Sequence, residues 1–340
     1  MTTERQLLPE EVIESIEKNL SDKSIQIDWS SIKKSSAQGF MSLVATVEST
    51  VGLLVIHYNP VPLEDQRRVN MPTKISSITS YLKEKLPHLP TQEVFDAAKF
   101  SNGAYYIVQE YLPGNPLGNR EMKGGKIIDT YNIPSAEAAK LQNEVDIFTA
   151  QMHMLPVSGF GFLIRAEAGT LRGEHESWEE FLKKGTEKWC KELTDAATLE
   201  SDDETEERVD KIQIKIAKLY ASHEEFFYLL QGYFVHGDIA NLSNILVNEG
   251  KVTGIIDYEW SLAGDPAWEF THTEVRPTEP YYQERGLLNS EEKDKFLRHI
   301  DFNTVFWSLW GAHLHARINN YGIKEVLLDR VELYLVKFQE

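Results

Sequence analysis

Two short apolar runs, Ile245–Val247 and Val252–Ile256, flank the segment Asn248-Glu249-Gly250. Mostly β-branched runs around a turn-forming, glycine-containing segment fold as an antiparallel hairpin. A hairpin brings the start of its first strand and the end of its second to one open end. Asn244 and Asp257 therefore converge. Asp238, in the tripeptide His236-Gly237-Asp238, lies in the loop that feeds that same end. Three polar side chains scattered along the chain become one cluster.

Two carboxylates and a carboxamide in one cluster are the equipment of a phosphoryl-transfer site. One carboxylate accepts the proton of an attacking hydroxyl, and the other joins the amide in holding magnesium on nucleotide phosphates. Each residue alone has an ordinary explanation: an Asp after Gly is commonly a turn residue, and an Asp ending a strand commonly caps the next turn. The combination is more specific, because Tyr258-Glu259-Trp260 and Gly264-Asp265-Pro266-Ala267-Trp268-Glu269 come directly after it.

With these motifs the chain resembles the aminoglycoside phosphotransferase and choline kinase superfamily of small-molecule kinases. The family's His-Gly-Asp and downstream Asn-Ile-Leu match His236–Asp238 and Asn244–Leu246, its Ile-Asp-Trp/Tyr-Glu matches Ile256–Glu259, and its Gly-Asp-Pro matches Gly264–Pro266. Ile107–Gly114 resembles the interlobe hinge. Met152-His153 with Gly159–Gly161, and Trp178–Phe181, extend the likeness. The resemblance implies an α+β, bilobal protein-kinase-like fold, with a small β-rich N-terminal lobe (1–112) and a larger, mostly helical catalytic and substrate-binding lobe (113–340). It implies Asp238 as catalytic base, supported by His236, with Asn244 and Asp257 on magnesium and Asp265 bracing the catalytic loop. The adenine of ATP (or the base of GTP) would lie against the backbone of Gln109, Glu110 and Tyr111. The acceptor would lie beyond Glu259, with Trp268 and Glu269 as further candidate contacts; Glu269 reads equally as a rim carboxylate or a neighbour of a helix N-cap.

Three departures accompany the match. Five residues separate Asp238 from Asn244 where four are usual, and Asn241 is a second candidate; Asn244 is preferred because it adjoins the strand. The strand Leu53–Ile56 runs into His57 instead of the expected Lys or Arg, leaving His57 as a candidate nucleotide contact but a weaker phosphate ligand than an ammonium. The partner carboxylate is missing from Pro72-Thr73-Lys74-Ile75, where Lys74 is the candidate replacement cation, with Arg67 and Arg68 as others. These losses motivate the alternative of a catalytically weak, kinase-like nucleotide- or ligand-binding protein.

The net charge of −18 argues against a nucleic-acid partner, since a phosphate backbone selects clustered Lys and Arg. It suits either a cationic acceptor or solubility alone. The expected partner is a hydroxylated small molecule: an aminoglycoside, an amino alcohol or a sugar. Cys190 is the single cysteine, no apolar run approaches the roughly 20 residues of a membrane span, and Met1–Ile16 is largely polar. A cytoplasmic enzyme without a membrane partner is expected, its oligomeric state left open.

Along the chain, periodicity predicts helices over Pro9–Leu20, Thr79–Leu86, Ser135–Met154 and Val209–Leu230, and a strand at Tyr105–Val108. After Gly114 the pattern reads as largely helical. Ser35–Ser42 resembles a nucleotide-covering turn. The acidic run Leu199–Glu207 reads as a surface loop or helix start, or as a cation-attracting rim. His313 and His315 point to different helical faces. Trp260, Trp268, Trp307 and Trp310 are core residues or an aromatic wall for the acceptor.

Overall fold

The computed structural model describes residues 7–35, 43–60, 71–123, 126–165, 170–272 and 276–338. The N-terminal part contains α1 (Glu10–Ser21), β1 (Ile27–Lys34), β2 (Leu43–Ser49), β3 (Gly52–Asn59), α2 (Met71–Lys85), β4 (Val94–Lys99) and β5 (Tyr105–Glu110). Its strands form an antiparallel sheet in the order β1-β2-β3-β5-β4. Alternation assigns the two faces. Leu54 and Ile56 of β3 and Tyr106 and Val108 of β5 pack on Val12, Ile13, Ile16 and Leu20 of α1. The opposite parity, Tyr105 and Ile107, packs on Ile75, Ile78 and Leu82 of α2. His57 shares that second parity, so it belongs to the α2 face of the sheet.

Helix α2 begins at Met71, well before the expected Thr79. Pro72 falls in the first turn, where a missing N–H costs nothing, so it marks a start. After β5 come β6 (Asn115–Pro116), β7 (Gly118–Lys123) and β8 (Lys126–Tyr131) ahead of α3 (Ser135–Met152). The expectation of a largely helical region here is corrected: β7 and β8 form an antiparallel ladder with Arg120 opposite Asp129. Next are β9 (Pro156–Val157), β10 (Phe160–Arg165), β11 (Leu171–His175), α4 (Trp178–Glu200) and α5 (Asp203–Ser222).

Helix α5 starts at Asp203, because the Asp202 carboxylate accepts the Thr205 N–H at 3.1 Å, and it ends at Ser222 rather than Leu230. The acidic run thus closes α4 and opens α5, with Asp203, Glu204 and Glu206 at the positive end of the helix dipole. The chain continues through β12 (Gly232–Val235), β13 (Ile245–Asn248), β14 (Lys251–Ile255), β15 (Leu262–Gly264), α6 (Glu279–Glu284), α7 (Ser290–Arg317) and α8 (Tyr321–Val336). A second sheet, β11-β10-β15-β12-β9, underlies the region after His236. The helices α4, α5, α7 and α8 enclose an aromatic core with Trp178, Trp189, Trp268 and Phe306. Among the described residues, no helix is long and apolar enough to cross a membrane.

Candidate active site

The hairpin predicted from the sequence is β13–β14, with Ile245 opposite Ile255 and Asn248 opposite Lys251. Its two-residue turn, Glu249 and Gly250, has positive φ at both positions (50° and 70°), the type I′ geometry. At the open end the Ile256 N–H donates to the Asn244 carbonyl at 2.9 Å, so Asn244 lies beside the residue preceding Asp257. Asp257 itself is in the left-handed region (φ 69°, ψ 59°) and is exposed.

The Asn244 Nδ2 donates to Asp238 Oδ2 at 2.9 Å and to the Asp238 carbonyl at 3.0 Å. That turns the Asn244 Oδ1 away from Asp238, as an oxygen ligand for a hard cation would be. Asn241 Nδ2 also reaches Asp238 Oδ2, at 3.3 Å, while its own Oδ1 accepts from Ser243. A single 3₁₀ turn at Leu242–Asn244 leads from this loop into β13. Asp238 Oδ1 faces Arg120 at 3.4 Å and the His272 Nδ1 at 3.3 Å. Burial pushes the Asp238 carboxyl up, but the His272 hydrogen bond and charge, the Arg120 charge and Asn241 outweigh it. The group is held below the ordinary aspartate value and stays ionised.

His236 is fully buried. Its Nδ1 accepts the Asp238 N–H at 3.3 Å, and its Nε2 lies 3.0 Å from the Ile256 carbonyl. Burial holds the ring's pKa below the usual histidine value. His236 thus ties the loop to the segment between β14 and Asp257, a brace rather than a proton carrier. Gly237 has φ 87°, and a Cβ there would meet the Trp260 carbonyl at 2.3 Å, so the tripeptide needs its glycine.

The loop is carried from beneath by Glu269, which is fully buried and accepts the N–H groups of Gly237 (3.1 Å) and Ile239 (3.0 Å). This corrects two expectations. Glu269 is no rim contact for an acceptor, and Asp265 does not brace the loop. The Asp265 carboxylate accepts the Ala267 N–H at 2.9 Å, His299 at 2.7 Å and Asn303 at 3.0 Å, joining its turn to α7. Trp268 is 1% exposed and packed against Trp178 and Phe181, so it too is core rather than acceptor wall. Trp307 and Trp310 are likewise buried, and Trp260 is half-buried against Trp310.

The expected cation sites also shift. Burial drives His57 down to about 4, so the β3 position is neutral. The Lys74 ammonium donates to the Glu259 carbonyl at 2.6 Å and lies over the Phe162 ring. It supports the segment after Asp257, at the edge of a cavity of about 1340 Å³ between β10, α4 and the end of α7. Arg67, Arg68 and residues 36–42 of the nucleotide-covering turn lie outside the described residues. At the hinge, the Glu110 N–H donates to the Glu93 carbonyl at 2.8 Å and the Tyr111 N–H to the Leu53 carbonyl at 3.1 Å. Gln109 is buried between β3 and β4. These donors are already used by the sheet, so a base would meet the backbone further along, after Tyr111.

Arg120, Asp129 and His272 did not stand out in the sequence. The signal available for the first two was Gly124-Gly125, a hairpin-turn dipeptide with opposite charges at matching distances on either side. His272 had no local signal.

The metal expected between Asn244 and Asp257 is chemically compatible with them. One carboxylate and one amide oxygen suit Mg²⁺, which takes one or two protein oxygens and completes its shell with water and phosphate.

A model of the phosphotransferase enzyme family matches residues 75–280. No curated protein matches the sequence. Among solved structures, a thermostable mutant of aminoglycoside phosphotransferase APH(4)-Ia, in ternary complex with ADP and hygromycin B, superposes with a TM-score of 0.64 at 16% identity; the match covers 96% of this chain and 99% of that one. The GDP and kanamycin complex of APH(2")-IIia gives 0.61 at 14% identity, covering 96% and 99%. The gentamicin–APH(2")-IIa complex gives 0.60 at 15%, covering 97% and 96%. At such identities the likeness establishes the fold, which is the kinase-like one read from the motifs.

Proposed function

The chain belongs to the phosphotransferase enzyme family, and from that premise we propose that it transfers the terminal phosphoryl group of ATP to a hydroxyl of a small molecule, with magnesium. The observation that carries this reading is the Asp238–Asn244 contact of 2.9 Å at the open end of the hairpin that also delivers Asp257.

In this reading Asp238 Oδ1 receives the acceptor hydroxyl, orients it and takes its proton late, since a carboxylate below its ordinary pKa cannot ionise an alcohol outright. Asn244 and Asp257 would hold magnesium, which supplies charge neutralisation on the phosphates. His236 and Glu269 keep the loop rigid, so positioning and electrostatics supply most of the acceleration. The acceptor would lie beside Asp238 and His272, toward the C-terminal helices; the cavity beside Lys74 is lined by none of Asp238, Asn244, Asp257 and His272.

The test is ATP consumption, with GTP in parallel, over a panel of hydroxylated amines, sugars and antibiotics. Asp238→Asn is expected to lower turnover by about 10² or more while magnesium–nucleotide affinity stays near wild type. Wild-type-like turnover in that variant would sink the assignment of the base. Nucleotide binding with no turnover over the whole panel would favour the binding-protein alternative.

A further inference from the structure

The base is crowded. A carboxylate offers about four lone-pair positions, and among the described residues Asp238 faces four donors: Asn244 and Asn241 on Oδ2, Arg120 and His272 on Oδ1. An acceptor hydroxyl can reach this oxygen pair only if a donor leaves. Asn241 and Asn244 share the loop with Asp238, and His272 is buried under the Trp307 ring, 4.4 Å between centroids. Arg120 comes from outside, on the β7–β8 ladder, and makes the longest of the four contacts at 3.4 Å.

Positive charge for the transferred group must come from somewhere near the same oxygen. Among the described residues, the family's strand position holds His57, Lys74 is turned to the Glu259 carbonyl, and the loop residues Ile239–Ser243 include no cation. Arg120 lies on that loop, its NH2 donating to the Ala240 carbonyl at 2.8 Å. Its fork is gripped from the other side by Asp129, at 2.9 Å from Nε and 3.4 Å from NH2. Arg120 and Asp129 are directly opposed across the ladder, and both side chains are at least four-fifths buried. A guanidinium held this way keeps its charge and presents planar donors suited to phosphoryl oxygens.

We propose that Arg120 is the cation that meets the transferring phosphoryl group, and that its contact with Asp238 is a resting position it gives up to the acceptor hydroxyl. The assignment rests on the phosphotransfer reading above. In the transfer, the bond between the γ-phosphorus and the β,γ-bridging oxygen breaks and ADP leaves with the electron pair. The acceptor oxygen bonds to phosphorus, its proton goes to Asp238, and Arg120 stays protonated throughout.

The experiment is calorimetric binding of magnesium–ADP and magnesium–AMP-PNP to wild type, R120A, R120K and R120Q, with single-turnover transfer measured beside it. Wild type should bind AMP-PNP more tightly than ADP. R120A should lose about tenfold or more of that preference, the scale of a charge-assisted hydrogen bond, with ADP affinity little changed. R120K, which keeps the charge without the fork, should fall between, and R120Q gives the uncharged reading should R120A melt early. A wild type whose γ-phosphate preference survives in R120A and R120Q overturns the assignment alone. A wild type that binds neither nucleotide overturns both this assignment and the phosphotransfer reading.

Discussion

Asp257 follows β14 in the left-handed region, where a non-glycine residue is disfavoured by about 1–2 kcal/mol. Strain at the proposed metal ligand fits a position chosen for where it aims its carboxylate rather than for stability. Its neighbour in function, His57, carries a different signature: burial lowers its pKa to about 4. Between about pH 4 and the unfolded value near 6.5, the unfolded chain binds a proton at this site and the folded chain does not. The neutral ring therefore contributes stability that is present above 6.5 and is lost as pH falls toward 4. His57→Gln, which cannot titrate, should flatten the fall of the urea midpoint over that window; an unchanged slope would show that His57 is not held neutral. Asp238, Asn244 and Asp257 were legible one by one because their motifs are local. The role of Glu269 was not, since nothing in its own segment tells which of two acidic residues turns toward a loop some thirty positions earlier.

The β13–β14 hairpin was the most legible element, and its turn is also its weakest point. A type I′ turn needs positive φ at both central positions, and Glu249 occupies the first at 50°. Glu249→Asn should stabilise the fold by about 0.5–1 kcal/mol, because Asn tolerates the left-handed region better, and the gain should appear as a higher urea midpoint with an unchanged m-value. A loss of stability would mean that the Glu249 side chain makes a contact worth more than the strain. The β7–β8 ladder was illegible for a related reason. Its strands, Gly118–Lys123 and Lys126–Tyr131, are largely polar in sequence, so they lack the apolar alternation that announces a half-buried strand. Helix α2 was only half seen, because Pro72 reads as a break when it marks a beginning.

The two lobes expected from the hinge share one apolar core. Met71, Ile75, Ile78 and Leu82 of α2, with Tyr105 and Ile107 of β5, lie in the same cluster as Leu141, Phe234, Ile245 and Ile255 from beyond the hinge. The Ile255 N–H donates to the Pro90 carbonyl at 2.7 Å, and Lys74 reaches Glu259, so the hairpin is tied to the first lobe on two sides. A large apolar interface between lobes couples their unfolding. Calorimetric melting of the whole chain should give a single transition, with tryptophan fluorescence and far-ultraviolet dichroism coincident; two resolved transitions would mean the shared core is too weak to couple them. The sequence by itself determined the hairpin, the convergence of Asn244 with Asp257 and the kinase-like class, because strand period, turn chemistry and short motifs are properties of neighbouring residues. Only the tertiary structure decided that Glu269 rather than Asp265 carries the loop after His236, that Trp268 is core, that Lys74 serves the segment after Asp257, and that Arg120 faces Asp238. Each of those depends on which side chain meets which across 30 to nearly 200 intervening residues, and burial, unlike periodicity, is conferred by the partner.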